Sequence, residues 1–357
     1  MLILFSNDRL LPANQRYDAG LRMALEPQRG EAAVSVFGEF LDATRQAGEE
    51  KDAAMEDYLK RRYGDMRPDV LVALGPEALA FLMVRRDSMF PGVPLVFGGA
   101  SPEEIGTGTD LFPLAGLPME ISVLPVVEAL LEMRPETREI VLVHGTAAAD
   151  RIWRDTARMQ LAPLAGRVEV TDFPELPVDE LKRQVAGLSR EKSVLYLTYF
   201  QSPDGAVHTP ADVAEAISAA SAVPVVGPYD TYVGRGVMAV CVSPFEEEGR
   251  ALGGVIRRIL SGEKAADIGV LPPSRTRLIL DDRALKRWGI GKVPAGAEVR
   301  FRQPPVWEFY RKEALMVGGI VLLQGLLISG LSLSRRRQKR AEKGLRESEA
   351  RFSGVFR

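Results

Sequence analysis

The chain has 357 residues, 46% of them hydrophobic and 26% charged, which excludes a disordered or fibrous protein. A net charge of −2 gives no pull toward nucleic acid. One cysteine, Cys241, and two histidines, His144 and His208, exclude an internal disulfide and a Cys/His zinc site; neither a metal nor a cofactor is expected.

Met1 opens directly into a short apolar run, Leu2 to Phe5, that reads as a buried strand stopping at Ser6-Asn7-Asp8. A secretory signal needs a basic start and a longer apolar stretch, so the expectation is that the signal was trimmed or the start placed too late. Ala13 to Leu25 reads as a helix closed by Pro27 and Gly30, Val34 to Phe40 as a strand, and Glu49 to Tyr63 as an amphipathic helix. Val70 to Leu74 is a third strand, and Gly75-Pro76-Glu77 turns it into a helix, with proline suited to the first helical turn. Pro94 to Gly99 is a fourth strand. Ser101 to Pro118, rich in Gly, Pro and Thr, reads as a crossing loop.

The pattern then restarts. Val123 to Met133 is a helix, Ile140 to His144 a strand, Asp150 to Leu161 a helix, Val168 to Phe173 a strand and Val178 to Leu188 a helix. Val194 to Tyr199 is a strand, Pro210 to Ser221 a helix and Val223 to Val226 a strand. After Gly236 come a strand, a helix from Pro244 to Leu260, a strand from Thr276 to Leu280 and a short helix from Leu285 to Trp288. Two such series predict an α/β protein with two lobes, each a parallel sheet flanked by helices. The first lobe is placed at about 1–115 plus late returning elements and the second at about 119–245, in an extracytoplasmic domain of 1–304.

Ala314 to Ser334 holds no charge and is long enough for a helix to cross a bilayer. Trp307, Phe309 and Tyr310 form an aromatic rim on one side. Arg335 to Arg340, RRRQKR, form a basic block on the other, which sets that end as cytoplasmic. The expected placement is a single pass through a bacterial inner membrane, with the N-terminal domain periplasmic and 335–357 inside. Ala314, Gly318, Gly325, Ser329 and Ser332 fall on one stripe of the span, a face on which two copies of the helix can approach. Ala341, Leu345, Ser348 and Phe352 continue at coiled-coil spacing, so the expected partners are the bilayer and a second copy of the chain.

Ligands of open α/β sheets bind beyond the carboxyl ends of the strands. That rule selects Asn7 and Asp8, Gly75, Gly99 and Ser101, His144, Tyr199 and Gln201, and Tyr229, Asp230 and Thr231 as ligand-binding candidates. Their mixture of amide, hydroxyl, aromatic and acidic groups suits a small molecule such as an amino acid, a small carboxylate or an aromatic compound. The same residues have plain structural readings: glycines as turns, Asp8 and Asp230 as caps, Tyr199 as core, His144 as a hydrogen-bonded support. Asp281-Asp282 and Glu246-Glu247-Glu248 read as solvated surface. With no nucleophile elbow, P-loop or HExxH pattern, no catalytic residue is expected and a binding role is favoured over an enzyme.

The stretches VLVALGPEAL, VPLVFGGAS and MRPETREIVLVHG resemble the ABC-transporter substrate-binding family typified by tryptophan/tyrosine-type binding proteins. EEEGRALGGVIRRILSGEKAADIGVLPPSRTRLILDDRALKRWGI resembles it more specifically, and the likeness covers roughly 1–292. It implies a type I periplasmic-binding-protein fold that closes on a ligand between its lobes. The opening ILFSNDRLLPAN and the membrane anchor are more similar to the sensor version of this domain in bacterial histidine kinases. LRESEARFSGVF, Leu345 to Phe356, is similar to the entry into a PAS domain. The resemblance implies a two-component sensor, with a membrane-tethered solute-binding protein of a transporter as the alternative.

Overall fold

The computed structural model describes residues 1–27, 33–43, 48–106, 114–303 and 310–353. It divides into two compact units, Met1–Arg302 and Gln303–Arg357.

In the first unit the opening half gives β1 (Leu2–Phe5), α1 (Pro12–Leu25), β2 (Phe37–Phe40), α2 (Glu49–Tyr63), β3 (Leu71–Leu74), α3 (Pro76–Met89), β4 (Leu95–Gly98), α4 (Pro102–Ile105) and β5 (Leu114–Leu117). The strands pair in the order β2-β1-β3-β4-β5, all parallel. β1, β3, β4 and β5 are buried along their whole length, which is why they read as continuous apolar runs rather than alternating ones. The stretch expected as a crossing loop after Ser101 contains α4 and β5; residues 107–113 of it lie outside the described residues.

The second series gives α5 (Leu124–Met133), β6 (Glu139–Val143), α6 (Ala148–Leu161), β7 (Glu169–Asp172), α7 (Val178–Val185), β8 (Lys192–Tyr196), α8 (Pro210–Ala220), β9 (Val225–Gly227) and β10 (Ala239–Val242). Then follow α9 (Phe245–Leu260), α10 (Ala265–Ile268), β11 (Arg277–Asp281), α11 (Asp282–Arg287) and β12 (Glu298–Arg300). The second sheet runs β12-β11-β10-β9-β8-β6-β7. It is parallel except for β10 and β11, which pair antiparallel, so the expectation of wholly parallel sheets is corrected at this edge. The second lobe also reaches beyond residue 245, because β11 and β12 belong to its sheet.

The chain crosses between lobes three times: from β5 to α5, from β10 to α9 through Ser243-Pro244, and from α10 to β11. The second crossing sends α9 back onto the first sheet, where it packs against α1, β4 and β5. The approach is close enough to need glycine. A Cβ on Gly249 would lie 2.0 Å from the Tyr17 carbonyl oxygen, and one on Gly20 would lie 1.8 Å from that of Glu246. One cluster of buried apolar side chains runs from this α1–α9 face, through Phe245 and Tyr232, into the α7–α8 face of the second lobe. Separate clusters fill the α2–α3 side of the first lobe and the α5–α6–α11 side of the second.

Three of the five carboxylates expected at the surface are inside: Asp281, Asp282 and Glu248. Asp281 is 1% exposed, with Oδ1 accepting the Arg283 backbone N–H at 2.9 Å as the cap of α11 and Oδ2 held by the Arg283 guanidinium at 2.8 Å. Glu248 is 1% exposed, whereas Glu246 and Glu247 are solvated and ion-paired to Arg250 and Arg277.

The second unit contains one helix, α12 (Arg311–Ser353), of 43 residues. From Glu313 to Arg346 it is long and apolar enough to cross a membrane, with none of its apolar window buried against protein. Tyr310 is exposed just before it; Trp307 and Phe309 of the expected aromatic rim, and the end of the PAS-like stretch after Ser353, lie outside the described residues.

Candidate functional site

The carboxyl ends of β1, β3 and β4 form the rim of the first lobe. Ser6 Oγ accepts the Ala78 backbone N–H at 2.9 Å, so a strand-end serine caps the helix that follows the neighbouring strand. Gly75 stands behind it with φ +95°, and a Cβ there would lie 2.5 Å from Ser6 Oγ. Its N–H donates to the Gly98 carbonyl at 2.9 Å, so Gly75 serves the turn and its amide is not free for an anion. Asp8 Oδ1 accepts the Leu10 N–H at 2.7 Å, and Asn14 Nδ2 donates to the Asn7 and Asp8 carbonyls at 3.2 and 2.9 Å. This leaves Asn7 Oδ1 buried without a donor. Gly99 has φ +69°, and Ser101 forms a capping box with Glu104. Of these candidates, Asn7 has a buried side-chain polar atom without a hydrogen bond.

The second rim is organised by a residue that the strand-end rule passed over. Asp150, on the first turn of α6 and fully buried, accepts from Thr198 Oγ1 at 2.7 Å and from the backbone N–H groups of Ala147, Phe200 and Gln201. Burial pushes its carboxyl above the usual carboxylate range, against the pull of those donors. An aspartate at the third position of a helix is the signal that identifies such a cap in a sequence. The Asp150 bonds stitch the loop after β6 to the loop after β8. His144 Nδ1 sits 2.8 Å from the Gly145 carbonyl oxygen, so this buried imidazole is a support of that loop. Tyr199 is buried, its hydroxyl donates to the Leu176 carbonyl, and burial pushes its phenol up to about 12. Gln201 Nε2 donates to Gly205 at 3.3 Å across a tight turn. In that turn Ser202 Oγ lies 3.0 Å from His208 Nε2 and bonds Asp204. The carboxylate therefore holds the serine and not the imidazole, which is turn geometry rather than a nucleophile–base–acid relay.

The lobes meet at the loop after β9. Arg16 Nη1, from α1 of the first lobe, binds Asp230 Oδ2 of the second at 2.7 Å. Asp230 and Thr231 are buried, and burial raises the Asp230 carboxyl even though Arg16, the Phe245 backbone N–H and Arg300 all favour its charged form. Beside it the Tyr229 ring stacks on Phe245, which opens α9, with centroids 5.8 Å apart, and meets Trp153 of α6 edge-on at 5.8 Å. Burial raises the Tyr229 phenol, with Glu104 of α4 as the next cause, so the rim of the first lobe lies within electrostatic reach. Of the sequence-selected residues, Tyr229 and Asp230 therefore stand at the junction. Arg16, Trp153 and Phe245 join them without having been foreseen, since each lies on a helix rather than at a strand end. Among the described residues no group of three His, Cys, Asp or Glu side chains is arranged to hold a metal.

No protein-family model and no curated protein sequence matches this chain. Its structure is similar to the ligand-free, open form of CD0873, a substrate binding protein with adhesive properties from Clostridium difficile (TM-score 0.60, 16% identity, covering 85% of this chain and 99% of that one). It is similar to a conserved domain protein of Vibrio cholerae (TM-score 0.59, 19% identity, 84% and 98% covered). A Streptococcus pneumonia ABC domain in complex with L-Trp is a further likeness (TM-score 0.57, 16% identity, 84% and 99% covered). These likenesses show the fold: two sheets flanked by helices in the periplasmic-binding-protein arrangement, to which this chain adds one long apolar C-terminal helix.

Proposed function

We propose that this chain is the membrane-anchored, extracytoplasmic small-molecule sensor of a signal-transduction protein of the two-component histidine kinase type. A ligand binds where the lobes meet, and its binding is passed through a single membrane helix to a PAS-containing region inside the cell. The observation that carries this reading is the continuity of α12. A tether needs only enough helix to span the bilayer, about 20 residues. This helix runs unbroken for 43, from the span through the basic block and on to Ser353. A rigid element of that length, about 65 Å at 1.5 Å per residue, transmits a shift or rotation where a flexible linker would lose it. The basic block supports an inward-facing C-terminal end.

The second reading is a tethered solute-binding protein serving a transporter, favoured by the fold shared with substrate-binding proteins over nearly their whole length. Two measurements separate the readings. Thermal denaturation of the protein with amino acids, aromatic acids, nucleosides and small carboxylates identifies a ligand, which at a hundredfold excess over Kd stabilises by about 2.7 kcal/mol. Disulfide crosslinking of single cysteines placed from 335 to 346 is then read with and without that ligand. A sensor changes its crosslinking pattern on binding, and a tether does not.

A further inference from the structure

Glu248 lies on α9 with 1% exposure, and its Oε2 accepts no hydrogen bond. Tyr17 of α1, 4% exposed, has a hydroxyl that is likewise without a partner, and the two groups lie close enough for the Glu248 charge to act on that phenol. Buried polar atoms are almost always paired, and an unpaired carboxylate oxygen is among the costliest exceptions.

Their place in the fold gives the exception a purpose. On Gly98, the last residue of β4, a Cβ would lie 2.2 Å from the Tyr17 hydroxyl and 3.0 Å from Leu252 Cδ2. Glu248 precedes Leu252 by four residues, about 6 Å of helix nearer the Ser243-Pro244 crossing. It therefore stands just past the carboxyl end of β4, the level at which open α/β sheets receive ligands. One turn nearer still, Phe245 stacks on Tyr229, and its backbone N–H acts on Asp230. Asp230 is bound by Arg16, the chain neighbour of Tyr17. The circuit from Glu248 through Phe245, Asp230, Arg16 and Tyr17 closes on itself.

The unmet atoms in this neighbourhood, Glu248 Oε2, Tyr17 Oη, Asp230 Oδ1 and, on the same rim, Asn7 Oδ1, are all oxygens. Of the two carboxylates, Arg16 compensates Asp230, which leaves one negative charge over. The Tyr229 and Phe245 rings add faces that attract cations. We propose that Glu248 and Tyr17 form the floor of a subsite for an N–H-bearing cation, an ammonium or amidinium group, on the ligand. This deepens the sensing role and rests on the junction between lobes being the ligand site.

The test uses the full chain in detergent, with phenylalanine, phenethylamine and 3-phenylpropionate as matched probes and a nucleoside as an uncharged one. The expected result is that the two amines raise the midpoint of thermal denaturation and 3-phenylpropionate does not. Glu248→Gln and Tyr17→Phe then weaken the amines by at least about tenfold. Glu248→Gln also raises the ligand-free midpoint, because it removes an unpaired buried charge. Arg16→Gln tells the source of the ammonium: it weakens phenylalanine alone if an amino-acid carboxylate reaches Arg16, and spares both amines if a simple amine is the ligand. Amine binding unchanged in Glu248→Gln overturns the proposal. So does binding of only the uncharged or acidic probe, which leaves the junction standing as a ligand site. No response to any probe, with a ligand-free midpoint lowered by Glu248→Gln, assigns the glutamate to structure and overturns the subsite, leaving the sensing role to the wider ligand screen.

Discussion

Arg16 of α1 and Asp230 of the loop after β9, 214 residues apart in sequence, are joined by a 2.7 Å hydrogen bond that ties one lobe to the other. The two ends are unequal: the Arg16 side chain is 37% exposed and that of Asp230 3%. Removing the arginine strands a buried carboxylate, whereas removing the carboxylate returns an arginine to water. Arg16→Gln is expected to cost about 2 kcal/mol, below the 3–5 typical of a wholly buried pair because the guanidinium is partly solvated. Asp230→Asn is expected to cost less, and the double variant to resemble Asp230→Asn. Urea denaturation of the four proteins of the cycle measures it, and equal single costs contradict it.

The same aspartate carries a pH signature. Its folded-state pKa is raised by burial, so the folded protein holds the proton more tightly than the unfolded chain does. Its contribution is most favourable below the unfolded value of about 3.9 and is lost as pH rises through the higher folded value. Wild type is therefore expected to lose stability relative to Asp230→Asn as pH rises across the acid range, and to run parallel to it above. The comparison cancels the carboxylates common to both proteins. A difference that grows in favour of wild type with rising pH shows that the Arg16 attraction outweighs burial.

Asp150 supports the second rim more than any other side chain described there. Asp150→Ala leaves the Ala147, Phe200 and Gln201 N–H groups without their acceptor, and a cost of about 3 kcal/mol is expected. Thr198→Val removes one of the bonds and is expected to cost about 1 kcal/mol. Chemical denaturation gives both values, and similar costs for the two variants argue against Asp150 as the hub.

Gly249 and Gly254 lie in the same helix with opposite surroundings. A Cβ on Gly249 would enter the α1 backbone, while one on Gly254 would meet nothing within 4 Å. Gly249→Ala is expected to destabilise by about 3 kcal/mol through overpacking. Gly254→Ala is expected to stabilise by about 0.5–1 kcal/mol, the helical preference of alanine. Thermal midpoints that move in the same direction contradict the close packing of α1 on α9.

The homodimer expected from the sequence brings two copies of the apolar helix α12 together. In a Cys241→Ala background, single cysteines from Ala314 to Ser334 are expected to crosslink with helical period. Maxima are expected at Ala314, Gly318, Gly325, Ser329 and Ser332, where small side chains allow close approach. A flat profile removes that dimer.

Most of the architecture was readable because each of its determinants is local. VLVAL followed by Gly-Pro fixes a strand, a turn and a helix start within a few residues, and the fold class follows from the repeated alternation. β5 was not readable, since LAGL is short and contains Gly116. A Cβ there would lie 2.2 Å from the Phe97 carbonyl oxygen, so the residue that makes the strand fit is the one that makes it look like a loop. The burial of Glu248 and Asp281 was hidden for a different reason: the elements that cover them, α1 against α9 and β10 against β11, come from far away in sequence, and no local pattern records it. The strand-end rule located both rims. It did not separate Ser101 and Asp8, whose side chains serve their own turns, from Asp230, which faces the other lobe.

The return of α9 to α1 sets the order in which the domain is completed. Newly made domains commonly fold from the N-terminus as they emerge. Here α1 is an early arrival whose covering comes much later, as Arg257 of α9 binding the Ala24 carbonyl 233 residues back shows. Until then Tyr17, Leu21 and Leu25 have no helix to pack against, however well β1, β3 and β4 have paired. The first lobe to be synthesised thus waits, with its α1 face open, for a helix made only after β6 to β10 of the second lobe.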